Sequence, residues 1–374
     1  MKKINIFLSA AGISFSLIFL SECKKEASSA TSSTLGTTPY TLATPYLFPS
    51  PNLSSQDPLT VEGIKLGRYL FYDSILSLNG HSCSTCHIQS RGFINLNTSL
   101  PAPLDTTLSR IMPLFNLAWQ PYYGWYGQYP TVDLWAADIV NGTKILDINI
   151  DTIVNRFNRS KIYPALFNKA FPGQNVISQD KILISVSYAI SQFARTIVSA
   201  NSPYDQYKQG TSGLSPSAQR GMQMFYGDPQ YDINGNIIQA GGDCYHCHSS
   251  TLFTNNDFYN DGLDSVFVGK NRGRYAITGD KEDLGKFFVP TLRNIGYRAP
   301  YMHDGRFQTL MEVIQHYNTG IKRSSTLAPI LTKNYNNVHL GMTAQNMADL
   351  DSFLLTLDDN KLLTDTNYSS PFKH

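Results

Sequence analysis

The chain has 374 residues, room for two ordinary domains with cores of their own, and a formal charge of +2 that is close to balanced. No basic run exceeds Lys24-Lys25 and no aromatic residues interleave with Arg or Lys, so a nucleic-acid surface is excluded. Four of the five cysteines fall in two short motifs and the fifth ends an apolar N-terminal run, which leaves no pair for a disulfide.

The N-terminus, Lys2-Lys3 followed by an apolar run from Ile4 to Leu20 and then Ser21-Glu22-Cys23, predicts a lipoprotein-type signal over 1–23 with Cys23 as the lipidated first residue of the mature chain. Glu22 stands where a small residue is usual, so an uncleaved anchor or an ordinary signal peptide stays open; each alternative exports the protein. Residues 24–56, rich in Ser, Thr and Pro, read as a flexible tether. A first domain, 57–210, opens with a helical apolar face built from Val61, Ile64, Leu66, Leu70 and Phe71, and contains a ring-rich stretch, Pro113 to Trp125, and a helix from Asp180 to Ala200. Gly210 to Ser215 marks a boundary. The second domain, 211–360, starts with Ser215 as N-cap and Pro216 at the first helical position. Thr309 and Glu312 form a capping box, after which Leu310, Val313, Ile314 and Tyr317 share one helix face. A last amphipathic helix follows Thr343, and 361–374 is a tail. No strand-rich pattern and no internal repeat beyond the cysteine motif is evident.

That motif is Cys83-Ser84-Thr85-Cys86-His87 and Cys244-Tyr245-His246-Cys247-His248. Two cysteines three apart with a histidine directly after the second suit covalent haem c: each thiol adds to a vinyl group and the imidazole reaches the iron. A thioredoxin-like pair or a four-cysteine zinc site are the alternatives. Neither calls for both histidines, and zinc knuckles rarely lie so far apart. Two motifs imply two haems.

The ordered set Leu66-Gly67-Arg68, Phe71-Tyr72-Asp73, the two motifs, Asn116 to Trp125, Leu214 to Gly221, Thr278-Gly279-Asp280 and Pro290 to Gly305 resembles the bacterial dihaem cytochrome c peroxidase family, including the relative that matures tryptophan tryptophylquinone in methylamine dehydrogenase. The resemblance implies an all-α fold of two cytochrome c-like helical domains, each with one covalently bound haem c. It implies that the N-terminal haem, on Cys83, Cys86 and His87, meets hydrogen peroxide. The C-terminal haem, on Cys244, Cys247 and His248, then receives electrons from a small cytochrome c or cupredoxin.

Trp125 matches the family's inter-haem tryptophan; one more packed ring is the plainer alternative. No histidine lies between His87 and His246, so the first iron is expected to keep an open or water-filled sixth position, as in the quinone-maturing relative. Asp147 stands near the family's distal glutamate, one methylene shorter, with a solvated loop carboxylate as the competing reading, and Trp135 replaces a glutamine. Family spacing puts Tyr317 at the sixth ligand of the second iron in preference to Met302. His81, His246, His316 and His339 have no ligand role by that spacing. Calcium occurs between the domains of relatives, but Ile111 stands where an asparagine ligand is expected.

The leading expectation is an exported peroxidase reducing hydrogen peroxide to water, joined to a membrane only through its N-terminal lipid or anchor, with a homodimer left open. The alternatives are an enzyme of the quinone-maturing type that oxidises residues of a partner protein, and a plain dihaem electron carrier.

Overall fold

The structure, a computed structural model, describes residues 36–94, 110–141, 143–173, 179–332 and 339–372. The signal and lipidation expectation for residues 1–23 lies outside them. Among the described residues no helix is long and apolar enough to cross a membrane.

The architecture is mostly helical. In the first half run α1 (Val61–Tyr72), α2 (Cys83–Cys86), α3 (Val132–Asn141), α4 (Thr143–Leu146), α5 (Ile150–Arg159), α6 (Tyr163–Ala170) and α7 (Gln179–Thr196). The second half holds α8 (Pro203–Lys208), α9 (Pro216–Tyr226), α10 (Tyr275–Thr278), α11 (Leu310–Gln315) and α12 (Ala344–Leu354). Two small antiparallel sheets join β1 (Gln230–Tyr231) to β2 (Ile237–Gln239) and β3 (Phe258–Tyr259) to β4 (Phe287–Phe288). The caps read from the sequence are in place. Thr60 starts α1, Ser215 starts α9 with Pro216 behind it, and Thr309 and Glu312 close a capping box on α11.

Each half is organised by one helix crossing. Gly67 of α1 lies against the backbone carbonyl of Ala189 in α7, and Gly221 of α9 against that of Asp349 in α12, so close that a Cβ at either glycine would overlap the carbonyl oxygen. One turn on, Phe71 meets Phe193 at 5.3 Å and Phe225 meets Phe353 at 5.2 Å, ring centre to ring centre. The likeness continues past the helices. Asn116 and Asn294 both take left-handed backbone, φ 56° in each, and their N–H groups donate to Ile197 O and Leu357 O. The hydroxyls of Tyr123 and Tyr301 donate to Leu117 O and Ile295 O. The chain is thus an internal duplication, contrary to the expectation of no repeat beyond the cysteine motif. What repeats is a scatter of glycines, asparagines and rings within unlike surroundings.

The halves meet through reciprocal backbone bonds at matching places: Arg110 N–H donates to His303 O and Phe288 N–H to Trp125 O, each at 2.8 Å. Two segments read as peripheral also cross the junction. Residues 36–56 pack down: Leu42 and Phe48 are buried with Trp119 and Leu252, and Trp119 Nε1 donates to Pro49 O. Polar composition hid this because only two side chains supply the anchor. Residues 361–372 wrap the first half, where Arg68 and Gln89 donate to carbonyls of Thr366, Ser369, Leu362 and Asp365, and Leu362 enters the core beside Phe71 and Phe93. The second core also starts before Gly210: Tyr204 packs on Phe253 and Phe353, and Asp205 pairs with the fully buried Arg293.

A Gly221→Ala substitution tests the crossing. Alanine favours a helix by up to about 1 kcal/mol, but the obstacle here is a backbone carbonyl that cannot swing away. Overpacking is therefore expected to dominate, at about 1–3 kcal/mol of net loss, read as a lower denaturation midpoint of the haem-loaded protein.

Candidate haem sites and the cavity between the halves

The two histidines that follow the cysteine pairs are held alike. His87 Nδ1 lies 3.0 Å from Phe93 O, and His248 Nδ1 lies 3.1 Å from Phe253 O. Each carbonyl can only accept, so Nδ1 carries the proton and Nε2 is left with its lone pair, the arrangement that ligating histidines use. Burial pushes both imidazoles down to about 4, against a smaller upward pull from the carbonyl, so both are neutral at physiological pH. The backbone bends needed to bring these carbonyls round are left-handed, φ 61° at Phe93 and 53° at Phe253.

All four motif cysteines are free and half-buried. Burial pushes Cys83 and Cys244 up to about 12, which keeps them as thiols. The pairs do not converge: among the described residues the one cluster with metal-ligand spacing is Asp228, Asp243 and His246. A four-cysteine zinc site is therefore not built.

Around His248 a cavity opens, lined by Cys244, Cys247, Tyr317, Met302, His303 and Trp125. Leu310, Val313, Ile314 and Tyr317 all reach it, so the helix face read from the sequence is the cavity wall. Tyr317 sits in a π-helical turn, His316–Gly320, that extends α11, and burial followed by the charge of Asp261 pushes its phenol well above the ordinary range. Met302, at φ 70°, and buried His303 are its neighbours on the wall. His303 stacks on Phe287 at 3.7 Å and its Nε2 meets Asn271 Oδ1 at 3.0 Å, while its buried Nδ1 has no partner.

Two further residues on the wall escaped the sequence reading. Arg110 and Arg298 are adjacent cations, with Arg110 Nη1 donating to Arg298 O at 2.8 Å, and among the described residues neither pairs with a carboxylate. Burial lowers both to about 10, and the charge of Arg110 lowers Arg298 further. Two desolvated guanidiniums are costly when the nearest opposing charge, that of Asp358 on Arg298, comes without an ion-pair contact. A group that brings two carboxylates relieves them, and haem does so through its propionates. The donor set of thiols, neutral imidazole, orphaned His303 nitrogen and paired cations fits haem at the second motif. An isolated arginine has no periodicity to announce it, and the two meet only in the fold.

Trp125 stands at the junction of the halves. Its Nε1 donates to Arg110 O at 2.6 Å and its ring meets His303 edge-on at 6.4 Å; Trp125 and His303 occupy matching places in the duplication. Ile94, next to the Phe93 whose carbonyl orients His87, also lines the second cavity, so one peptide bond separates the two sites there. Ile111 reaches the same wall with an apolar side chain. Asp147 is exposed, at φ 49°, but its segment is tied to the approach to Cys83: Leu78 N–H donates to Leu146 O and Asn79 Nδ2 to Ile145 O. Trp135 stacks on Tyr123 at 5.9 Å. His246 is held between Asp228 and Asp243 at 3.1 and 2.9 Å, and His316 Nε2 lies 3.0 Å from Asp261 O.

The sequence pattern described as di-haem cytochrome c peroxidase matches residues 61–213. The methylamine utilization protein MauG of Methylorubrum extorquens is 30% identical over 304 residues, covering 80% of this chain and 79% of that protein. The chain belongs to the dihaem cytochrome c peroxidase family. Within the family, the cytochrome-c peroxidase IdrP2 of Denitromonas iodatirespirans is 26% identical over 331 residues, 80% of this chain and 82% of its own length. The crystal structure of a MauG-like protein associated with microbial copper homeostasis superposes with a TM-score of 0.77 at 31% identity, over 89% of this chain and all of that one. Membership makes the chain a haem oxidoreductase related both to peroxidases and to MauG.

Two substitutions check the assignment of the sites. Cys83→Ser with Cys86→Ser is expected to leave a protein that carries one haem by mass, with the second site intact. Arg298→Met, which keeps volume and removes charge, is expected to lower the reduction potential of the second haem in a spectroelectrochemical titration, since a nearby cation favours the reduced iron.

Proposed function

We propose that the protein is a dihaem peroxidase that reduces hydrogen peroxide to water, with electrons entering from a small periplasmic cytochrome c or cupredoxin. The haems are carried covalently by Cys83 and Cys86 and by Cys244 and Cys247, and the mature chain is tethered at a membrane through lipid on Cys23. The observation that supports this most is an asymmetry between like-built halves. No histidine lies between His87 and His246 to cap the first iron from within its own half, whereas His248 shares a cavity with Tyr317.

Haem, when bound, would supply an iron that activates peroxide and holds oxidising equivalents. The chain does the rest. The Phe93 carbonyl holds Nδ1 of His87, so that Nε2 is the nitrogen that would hold the iron. Asp147 moves the proton between the two peroxide oxygens; exposed and one methylene short, it does so through water. Trp125, bonded to Arg110 O at the junction, couples the two sites through its indole. Tyr317 would be the residue that holds the second iron, the ferric charge displacing the proton that burial keeps on the phenol; a phenolate there would favour ferric and higher states over the ferrous state that a Met302 thioether would favour.

A second reading follows from the same tyrosine. An anionic ligand at the second haem suits an enzyme of the quinone-maturing type, which oxidises side chains of a partner protein, and the 30% identity to MauG points the same way. A plain electron carrier would keep both irons six-coordinate.

Stopped-flow mixing of the fully oxidised, haem-loaded protein with stoichiometric hydrogen peroxide is expected to change its absorption spectrum without prior reduction. A protein that responds only after one haem is reduced would be an ordinary reductively activated peroxidase. Asp147→Asn is expected to slow that first phase roughly 10²–10⁴-fold, the range for a lost proton-transfer group, and to leave both haems attached.

A further inference from the structure

The halves match at the motif, the helix crossing and the loop asparagines, so what the second half has alone at these places stands out. Between the cysteines the first motif carries Ser84 and Thr85, while the second carries Tyr245, one peptide bond from Cys244. Tyr245 lies 6.1 Å from Tyr226, ring centre to ring centre, at an angle of 42°. Tyr226 is the last residue of α9, and its hydroxyl is 3.3 Å from that of Tyr204. Its counterpart on α1 is Tyr72, whose hydroxyl is taken up by Tyr368 O of the C-terminal wrap. Among the described residues no such cover lies on Tyr226, which is 44% exposed. Together with Tyr204, Lys208 and the 59%-exposed Tyr46 it walls a surface cleft of about 280 Å³. A cavity of about 150 Å³ accepts benzene, so the cleft has room for a substituted ring.

We propose that Tyr245 and Tyr226 form a one-electron relay from the second haem site to this cleft, where a small phenol bearing a carboxylate serves as a second reductant beside the protein donor. The proposal rests on the peroxidase reading, which supplies the oxidant. Ring walls favour an aromatic donor, and Lys208, which has no ion-pair partner among the described residues, favours an anionic one. In each turn Tyr245 yields one electron to the second haem and its O–H proton to water; Tyr226 then returns an electron to it, and water a proton, as the O–H proton of Tyr226 leaves to water in the cleft. The phenol then returns one electron and one proton to Tyr226 and departs as a phenoxyl radical. Two turns supply the two electrons and two protons that convert hydrogen peroxide to two waters. Phenylalanine at either position keeps the ring packing and removes the oxidisable hydroxyl.

The test is peptide mapping of a nitroso spin trap on the haem-loaded protein after hydrogen peroxide, with haem absorption followed in the same sample. The expected result is an adduct on Tyr226 that is lost in Tyr245→Phe and suppressed by 4-hydroxybenzoate, while both variants Tyr245→Phe and Tyr226→Phe keep two haems. If the haem spectrum responds but Tyr226 carries no adduct, or carries it undiminished in Tyr245→Phe or in the presence of 4-hydroxybenzoate, the relay is wrong and the peroxidase reading stands. If the wild-type haem spectrum does not respond at all, the peroxidase reading fails and the relay falls with it.

Discussion

One hydrogen bond, made twice, organises both sites: the Nδ1–H of a motif histidine to the carbonyl of a phenylalanine five or six residues on. It decides which nitrogen is free, and it ties the ring to a backbone bend that only a left-handed residue can make. The phenylalanine side chains are fully buried, Phe93 against Phe71 and Phe253 against Phe225, so ring orientation is anchored in the helix crossing beneath. That crossing in turn depends on a glycine with no room for a methyl group. Glycine, phenylalanine, carbonyl and imidazole form one chain of constraint, and each half contains a full copy.

The junction adds what neither copy holds alone. Reciprocal backbone bonds set Trp125 and His303 in matching places, yet one is an indole with its N–H satisfied and the other a neutral imidazole with a bare nitrogen. Burial lowers His303 to about 4, against the pull of Asp304, so it is uncharged beside the two guanidiniums of Arg110 and Arg298. Duplication supplied the frame; divergence at a few positions gave the halves different chemistry.

Much of this was legible in the sequence because it is written in local spacing. The cysteine motifs, the caps at Ser215 and Thr309 and the 3.6-residue periodicity that placed Tyr317 on the face of Leu310, Val313 and Ile314 need no tertiary knowledge. The duplication was not legible, since it survives in about one residue per turn: Gly67 and Gly221, Phe71 and Phe225, Asn116 and Asn294. The packed segment from 36 to 56 was hidden for a similar reason, with Leu42 and Phe48 its two buried anchors in a polar run, and Arg293 held over Phe48 at 4.8 Å by contacts far apart in sequence. The pairing of Arg110 with Arg298 is a purely tertiary fact, as each is unremarked in its own neighbourhood.

The central claim is that the two like-built sites hold unlike irons, the first open and the second closed by Tyr317. Electron paramagnetic resonance of the oxidised, haem-loaded protein tests it most directly. The account predicts one high-spin ferric signal from the open site and one low-spin signal, the latter altered by Tyr317→Phe and untouched by Met302→Leu. Two low-spin signals, or a low-spin signal that answers to Met302→Leu and ignores Tyr317→Phe, would contradict it.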